Sequence, residues 1–449
     1  MLVQLKIANY RSIYEEQTFS LVASKDKWHP GSLIHCNGFD LLKTAAIFGA
    51  NASGKSNLVK AMSFMRELIL TSATRMTLGD EIAGAEPFKL SKTTLNNPCR
   101  FEITFIAEGV NYQYAFAADS ERIHSEALFS VSKKGDKALW FDRSCDARSK
   151  ETTWKFGEPL RQHKDVLEER TRDNSLALST AIRDNLKLLN PVFNWFRKKI
   201  QILDFSLTSE MLAFGTSREC QKDDETKLKI LSLMQDADLQ IEAIQIEEKD
   251  SSISKLLSFP IASGSSEIDN SIDSLFTKMQ AEFKYVSSHE LNRQQVYTQH
   301  KMIDSDEMTR FELGDESNGT QRYFALLGPL LKALDSGSVV FIDEFESSLH
   351  PLLTRKLIEL FQSPSANEKG AQLVFVSHDT NLLTPDLLRR DQIYIAEKLR
   401  GGGSEYFSLY DFKSTNRPRN NEAYERNYLE GRYGGVPQFN GVLEDLDNE

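Results

Sequence analysis

The stretch Gly49–Ser56, GANASGKS, has the pattern G-x-x-x-x-G-K-S of a phosphate-binding loop, or P-loop. The apolar run 45–48 before it predicts a buried strand, and apolar residues at helical spacing over 57–65 predict a helix after it. In that context the backbone N–H groups of the loop and the positive end of the helix dipole face phosphate oxygens. The sequence therefore predicts that the chain binds a nucleoside triphosphate.

Two side chains of this loop carry the chemistry. Lys55 would pair with the β- and γ-phosphates, and the Ser56 hydroxyl would bind Mg²⁺. An ordinary Gly/Ser turn before a surface helix has similar glycines, but it does not need Lys-Ser in this register. The residues predicted to contact the nucleotide in this part of the chain are Gly49, Asn51, Gly54, Lys55, Ser56 and Asn57.

The composition is that of an ordinary globular protein. Hydrophobic residues make up 40% of the 449 residues and charged residues 27%. The net charge of −11 excludes a uniformly basic nucleic-acid-binding protein, although a local basic patch remains open. The 4 cysteines are scattered without a C-x-x-C pair, so neither a zinc site nor a disulfide framework is predicted. No apolar run reaches the length of a membrane span, and we expect a cytoplasmic protein.

A second run, SGSVVFIDE at 336–344, predicts a buried parallel strand that delivers two carboxylates at its C-terminal end. Asp343 is expected to hold Mg²⁺ through water, as a Walker-B aspartate does. Glu344 is placed to polarise the attacking water. An Asp-Glu pair at a strand end can serve solubility alone, but its position after a P-loop favours the catalytic interpretation.

Two further pieces complete the predicted site. Ser317 and Gly319 precede a predicted helix over 323–334, and a helix N-terminus is a ready anion site. The run 371–376 predicts another buried strand, which ends at Ser377 and His378 and brings an imidazole near the γ-phosphate. A lone histidine is more often structural than catalytic, but this one follows the P-loop and the Asp-Glu pair in order.

The order of these motifs resembles that of ABC-type ATPases of the SMC/RecF kind. That family has the same order of motifs: a P-loop, a signature such as Ser317-x-Gly319, an Asp-Glu pair such as Asp343-Glu344, and a histidine such as His378. The stretch LKIANYRS at 5–12 also resembles the family's opening strand and turn. Two departures matter. The signature reads Ser-Asn-Gly-Thr-Gln rather than Leu-Ser-Gly-Gly-Gln. In addition, no long heptad arms flank the middle of the chain, which argues against chromosome tethering.

Within that family the chain is similar to the RloA/AbiL-type ATPases of bacterial anti-phage systems, and to the ATPases of the PARIS, Septu and OLD systems. The motifs that carry this similarity are ESNGT at 316–320, SLHP at 348–351 and YLEGRYGGVP at 428–437. The resemblance implies ATP and Mg²⁺ as cofactors. It also implies a homodimer or higher homo-oligomer with composite ATP sites, in which Ser317 and Gly319 of one subunit meet the γ-phosphate held by the other.

The resemblance further implies a sensor or scaffold that controls a separate effector nuclease, with a phage protein as trigger and nucleic acid as a further partner. No Toprim-like acidic set follows His378, so we expect any nuclease to be a separate chain. The alternatives are a RecF-like DNA-repair ATPase and a scaffold that binds nucleotide without hydrolysing it.

The predicted fold class is α/β, an ABC-type P-loop ATPase core with an antiparallel β subdomain and a mainly helical insertion. In order, the predicted parts are the N-terminal part of the core with the P-loop, the β subdomain, the insertion, the C-terminal part of the core and a C-terminal arm, at 1–85, 86–159, 160–285, 286–400 and 401–449.

Three predictions concern residues outside the main motifs. Tyr10 or Arg11 is expected to touch the base or phosphates, a packed tyrosine and a solvated arginine being the alternative. Gln113 is expected to face solvent from a strand, a metal-contacting glutamine being the alternative. Residues 417–437 interleave tyrosines with arginines, which suits contact with a partner or nucleic acid, and an arm packed on the sheet is the alternative.

Overall fold

The computed structural model describes residues 1–146, 149, 151–203, 209–237, 239–248, 294–412 and 418–437. Its strands are β1 (Leu2–Ala8), β2 (Gln17–Ser20), β3 (Leu33–Cys36), β4 (Phe39–Leu42), β5 (Thr44–Phe48), β6 (Cys99–Ala107), β7 (Val110–Ala118), β8 (Ile123–Val131), β9 (Lys137–Cys145), β10 (Thr152–Phe156), β11 (Ile200–Leu203), β12 (Ala243–Glu248), β13 (Gln294–Lys301), β14 (Met308–Glu312), β15 (Val339–Ile342), β16 (Gln372–Val376), β17 (Ile393–Lys398) and β18 (Ser404–Ser408). Its α-helices are α1 (Ser56–Thr71), α2 (Lys92–Leu95), α3 (Lys164–Arg170), α4 (Ala177–Arg183), α5 (Asn190–Asn194), α6 (Ser209–Lys222), α7 (Asp224–Asp236), α8 (Asn318–Ser336), α9 (Pro351–Gln362) and α10 (Tyr424–Leu429).

The sheet that carries the predicted motifs has the strand order β11-β15-β16-β5-β17-β18. The first five of these strands are parallel, and β18 pairs antiparallel with β17 at the edge. Every residue of β5, β15 and β16 is buried, as continuous apolar runs in a parallel sheet require. Because these strands run in one direction, the segments that follow β5, β15 and β16 emerge at the same edge of the sheet.

An antiparallel sheet with the order β10-β9-β8-β7-β6-β1-β2 lies in the same compact unit. Its inner face and α1 share one apolar core, in which Phe105 stacks on Trp195 and Phe101 contacts Phe116. The strands predicted between residues 100 and 141 are all present, and β1 and β2 extend their sheet. Gln113 is buried rather than exposed. It lies on β7, an inner strand between β6 and β8 in which most residues are buried.

The described chain divides into two compact units. One contains the described residues within 1–204, 334–346 and 355–449, and the other those within 205–333 and 347–354. Residues 160–203, predicted as the start of the insertion, cluster with the first unit because β11 pairs with β15. The predicted loop at 248–270 lies outside the described residues beyond 248.

The second unit contains α6, α7, the sheet β12-β13-β14 and the first part of α8. Helices α6 and α8 approach closely at Gly328, where a Cβ would lie 2.4 Å from the Thr216 hydroxyl. That hydroxyl donates to the Ala325 carbonyl at 2.9 Å, so a glycine is needed for the packing of the two helices. In the described ranges no helix is both long and apolar enough to cross a membrane. The predicted α/β class is confirmed.

Candidate functional site

The loop between β5 and α1 has the backbone that its glycines allow. Gly49 has φ 151° and Gly54 has φ 99°, a region that disfavours residues with a side chain. A Cβ at Gly49 would lie 2.2 Å from the Ala396 carbonyl oxygen, and one at Gly54 would lie 2.2 Å from the Ser404 hydroxyl. The turn therefore depends on glycine at both positions. Asn51 lies exposed on its outer side.

Lys55 lies inside this loop with 5% of its surface exposed. Its ammonium donates to the Gly49 and Ala50 carbonyls, both at 2.8 Å. Burial lowers the pKa of Lys55 to about 8, although the negative charges of Asp343, Glu346 and Glu344 act in the opposite direction. The loop thus holds a cation that is poorly neutralised, which suits an anionic ligand such as a polyphosphate.

The P-loop and the strand-end carboxylate meet directly. Asp343 follows β15, is 4% exposed, and accepts a hydrogen bond from the Ser56 hydroxyl at 3.0 Å. A hydroxyl and a carboxylate together offer the hard oxygen ligands that Mg²⁺ prefers. The two residues predicted to bind the metal are therefore adjacent.

A network of hydroxyl and amide groups supports the loop from behind. Asn57, predicted to contact nucleotide, donates its amide to the Ser12 hydroxyl at 2.6 Å. Ser12 contacts the Ser404 hydroxyl at 2.6 Å, and Ser404 donates to the Ser53 carbonyl. Tyr406 donates to the Gly54 carbonyl at 2.6 Å. In this structure Asn57 therefore stabilises the P-loop through its hydrogen bond to Ser12.

Sequence reasoning missed Ser12, Ser404 and Tyr406 as supports of the site. They come from the turn after β1 and from β18, far from the P-loop in sequence. Ser404 and Tyr406 alternate along one short strand of the sequence. Their support of the P-loop follows only from the pairing of β18 with β17, which brings that strand next to the loop.

Glu344 follows Asp343 in a left-handed conformation with φ 49°. This conformation costs a non-glycine residue about 1–2 kcal/mol, and such outliers cluster at functional sites. Burial and the charges of Asp343 and Glu346 raise the pKa of Glu344, and Lys55 opposes that rise. A raised pKa makes this carboxylate a better proton acceptor, as a general base requires.

His378 follows β16 and lies exposed at the same edge of the sheet. Its backbone N–H donates to Glu346 Oε1 at 2.6 Å. Partial desolvation and the positive charge of Lys55 lower the pKa of the imidazole, although Glu346 and Asp343 act against this. The structure thus brings Lys55, Ser56, Asp343, Glu344 and His378 to one edge, as the strand order predicts.

Ser317 and Gly319 lie in the second unit, at the start of α8. The Ser317 hydroxyl accepts the Thr320 N–H at 3.1 Å, so it caps the helix. The preceding Glu316 is held by the Thr298 hydroxyl at 2.5 Å and by the His300 Nε2 at 2.7 Å, both from β13. A Cβ at Gly319 would lie 3.1 Å from the Ser348 carbonyl oxygen.

A pocket of about 290 Å³ opens beside the P-loop, lined by Arg11, Ala52, Glu86, Phe88 and Lys398 among others. Arg11 forms an ion pair with Glu86 at 2.7 Å at its wall. Tyr10 is 1% exposed and packs against Phe64 and Phe101 in the core. Of the two residues predicted to touch the nucleotide, Arg11 lines this pocket and Tyr10 is a core residue.

The described part of the C-terminal arm, residues 418–437, packs on the first unit. Its tyrosines Tyr424, Tyr428 and Tyr433 are 1%, 6% and 5% exposed. Arg426 and Arg432 are exposed, and both pair with Glu430 at 2.8 Å. The aromatic rings are thus unavailable for stacking on a partner.

The arm is bound at two places near the site. The Thr380 hydroxyl, two residues beyond His378, donates to Glu425 at 2.8 Å. A Cβ at Gly435 would lie 2.5 Å from Ile395 Cγ2 and 3.5 Å from the Cα of Gly49. The arm therefore contacts the segment after β16 and passes close to the first glycine of the P-loop.

Comparison with solved structures gives distant likenesses. The SMC head domain from Thermotoga maritima is 12% identical, covers 91% of this chain and 98% of its own, and has a TM-score of 0.38. The SMC head bound to the C-winged helix domain of ScpA is 13% identical, with 92% and 99% covered and a TM-score of 0.38. The recombination mediator RecF is 12% identical, with 91% and 98% covered and a TM-score of 0.30. These scores are too low to bear on function.

No protein with a curated description matches the chain. A family model described as "AAA domain, putative AbiEii toxin, Type IV TA system" matches residues 45–384. This range contains the P-loop, Ser317, Asp343, Glu344 and His378. The fold is α/β, with a mostly parallel sheet that carries the P-loop and a separate antiparallel sheet, as predicted. The chain belongs to the AAA-domain family that includes putative AbiEii toxins of type IV toxin–antitoxin systems.

Proposed function

We propose that the chain binds ATP with Mg²⁺ and hydrolyses it. The observation that carries this proposal is the 3.0 Å contact between the Ser56 hydroxyl and the Asp343 carboxylate, beside the buried ammonium of Lys55. Phosphoryl transfer needs positioned cations and few covalent steps, so a cradle, a cation and a metal-binding pair are the parts expected.

The residues present fit the metal. Ser56 and Asp343 would hold Mg²⁺, which when bound neutralises charge on the phosphate oxygens. Lys55 would turn from the Gly49 and Ala50 carbonyls toward the phosphates, which are stronger acceptors because they are charged. The pocket lined by Arg11 and Phe88 is also lined by Ala52 of the P-loop, and it has room for the base.

Glu344 would accept the proton of the attacking water, because its raised pKa makes it a better base than an ordinary carboxylate. His378 would remain neutral near pH 7 and contact the γ-phosphate with a ring N–H. Lys55 and the P-loop N–H groups would hold the charge that develops on the transferred group.

We extend the proposal to assembly on the strength of the signature motif. Ser317 and Gly319 at the start of α8 would contact the γ-phosphate of a second copy, so that ATP stabilises a homodimer or a larger homo-oligomer. Hydrolysis through Glu344 would then release the subunits, because the signature contacts depend on the γ-phosphate.

In the cell we propose a cytoplasmic sensor or scaffold of an anti-phage defence system, of the RloA/AbiL kind, that controls a separate effector nuclease and responds to a phage protein. The support is the similarity of the motifs at 316–320, 348–351 and 428–437, and the AbiEii description of the matched family.

The purified full chain tests the biochemical part. ATP and Mg²⁺ should give phosphate release, and the protein should change from monomer to dimer in size-exclusion chromatography with ATP. Phosphate release that double-stranded DNA stimulates with a steep salt dependence would instead favour a RecF-like repair ATPase. Retained ATP without phosphate release would favour a nucleotide-gated scaffold.

The cellular part needs a separate experiment. A tagged chain should capture one nuclease reproducibly from its own host, and the Lys55→Ala variant should lose protection against phage. Protection that persists without ATP binding would refute the proposed sensor.

A further inference from the structure

The segment after β15 crosses to β16 before it turns away. The Phe345 N–H donates to the Val376 carbonyl at 3.1 Å, and the Phe345 ring contacts Phe375 with a centroid distance of 5.2 Å. Phe345 is fully buried. Its backbone and ring thus fix the crossing, and the next residue, Glu346, is brought beside the end of β16.

Glu346 makes one hydrogen bond there, and its acceptor atom is specific. Oε1 accepts the backbone N–H of His378 at 2.6 Å, while Oε2 is buried without a hydrogen-bond partner among the described residues. Hydrogen bonds to an ionised acceptor are about twice as strong as neutral ones. Since His378 lies exposed, water would satisfy its N–H if Glu346 were absent, so burial alone does not require this bond.

The hydrogen bond that Glu346 accepts acts on His378, whose position relative to the γ-phosphate affects the rate of hydrolysis. His378 is the first residue after Ser377, and no side-chain hydrogen bond of the described structure holds its imidazole. Among the hydrogen bonds of the described residues, the one that Glu346 accepts from the backbone N–H is therefore the one that positions His378. A change of about 1 Å in the position of a group that contacts the reacting atoms can lower a rate by about 10²-fold.

We propose that Glu346 is a positioning residue, which accepts the His378 N–H and so holds the imidazole at the γ-phosphate of bound ATP. The inference rests on the proposed ATPase function. It assigns a separate task to each carboxylate after β15: Asp343 holds the metal, Glu344 accepts the proton, and Glu346 orders the histidine.

Two substitutions of Glu346 separate its hydrogen bond from its charge. Glu346→Ala removes the acceptor, whereas Glu346→Gln keeps an amide oxygen of nearly the same position. We expect Glu346→Ala to lower kcat for ATP hydrolysis by about 10- to 100-fold, with KM for ATP changed by less than about 3-fold. Glu346→Gln should restore kcat to within about 3-fold of wild type. The exposed Glu368 serves as the control, and Glu368→Ala should leave the rate unchanged.

A double-mutant cycle tests whether Glu346 acts through His378. In the His378→Ala background, Glu346→Ala should lower kcat by no more than about 2-fold further, because the group that it positions is already gone. Thermal unfolding of each variant shows that it is folded, and if Glu346→Ala does not fold, the cycle is run with Glu346→Leu, which keeps the bulk without the acceptor.

The outcomes divide clearly. Wild-type kcat in Glu346→Ala, a Glu346→Gln defect as large as that of alanine, or full additivity with His378→Ala would each overturn the positioning role. In those cases wild type still hydrolyses ATP and Glu344→Gln hydrolyses it about 10²-fold or more slowly, so the proposed function stands. If wild-type protein releases no phosphate at all, the proposed function fails and the inference fails with it.

Discussion

Replacing Lys55 with methionine is expected to abolish ATP binding while changing the stability of the nucleotide-free protein little. Lowering the lysine pKa from 10.5 to about 8 corresponds to a cost of about 3 kcal/mol to the charged form. Methionine relieves that cost, but it leaves the buried Gly49 carbonyl without its donor, at about 1–3 kcal/mol. The Ala50 carbonyl is partly exposed and can bond to water. The free energy of unfolding should therefore stay within about 2 kcal/mol of wild type.

The same burial gives ATP binding a pH dependence. The folded pKa of Lys55 lies below its unfolded value, so the unfolded chain binds more protons between about pH 8 and pH 10.5, and stability rises with pH over that window. Below about pH 8 the lysine is charged in both states, and the cost of burying it is fully present. Bound phosphates favour the charged form, so ATP binding above pH 8 should take up a proton and weaken as the pH rises.

Calorimetric titration with ATP at pH 7 and pH 9 measures both effects, because buffers of different ionisation enthalpy report the protons taken up. Chemical denaturation of the nucleotide-free proteins gives the stability difference, which should move in favour of wild type toward pH 10, because wild type gains stability there and Lys55→Met does not. ATP binding by Lys55→Met at wild-type affinity would refute the assignment of the P-loop. Binding at pH 9 without proton uptake would refute the reasoning about burial.

Three further changes follow from the site. Glu344→Gln should keep ATP bound but slow phosphate release by about 10²-fold or more, since an amide cannot accept the proton, and light scattering should show a trapped dimer; wild-type turnover would assign the base elsewhere. Ser317→Arg should leave ATP affinity unchanged in the monomer but prevent the ATP-dependent dimer in size-exclusion chromatography; an unaffected dimer would refute the composite site. Removing residues 418–449 should lower the melting temperature and the ATPase rate together, because Tyr424 and Gly435 belong to the packed core; an unchanged rate would make the arm dispensable.

The part of the site that the sequence predicts is the part that lies at strand ends. Lys55, Asp343 and His378 each follow an apolar run long enough to be a buried strand, and parallel strands bring the segments after them to one edge. Local pattern and topology then suffice to place these residues, because the direction of each strand determines the sheet edge at which the following residue lies. Neither the pair distance of Ser56 and Asp343 nor the left-handed φ of Glu344 follows from such patterns.

The groups that hold the loop in place could not be predicted in this way. Ser12, Asn57 and Ser404 meet through side-chain hydrogen bonds between segments that are far apart in sequence. A serine on a turn or an edge strand has the same local pattern whether it faces water or a buried partner. Only the packing of β18 beside β17 decides which of these serines reaches the P-loop.

The arm shows the limit of composition most clearly. Tyrosines interleaved with arginines indicate amphipathic rings and cations, which serve equally well for stacking on a partner and for closing a core. What separates the two is where the hydroxyl groups find acceptors. Tyr428 donates to the Gly435 carbonyl at 3.0 Å within the arm itself, so its hydroxyl is satisfied inside the fold, and Gly435 lies close to Gly49 of the P-loop. On the surface of the described arm, that pattern leaves the exposed guanidinium groups of Arg426 and Arg432 together with Arg419. A partner of this segment would therefore have to recognise charge rather than stacked rings.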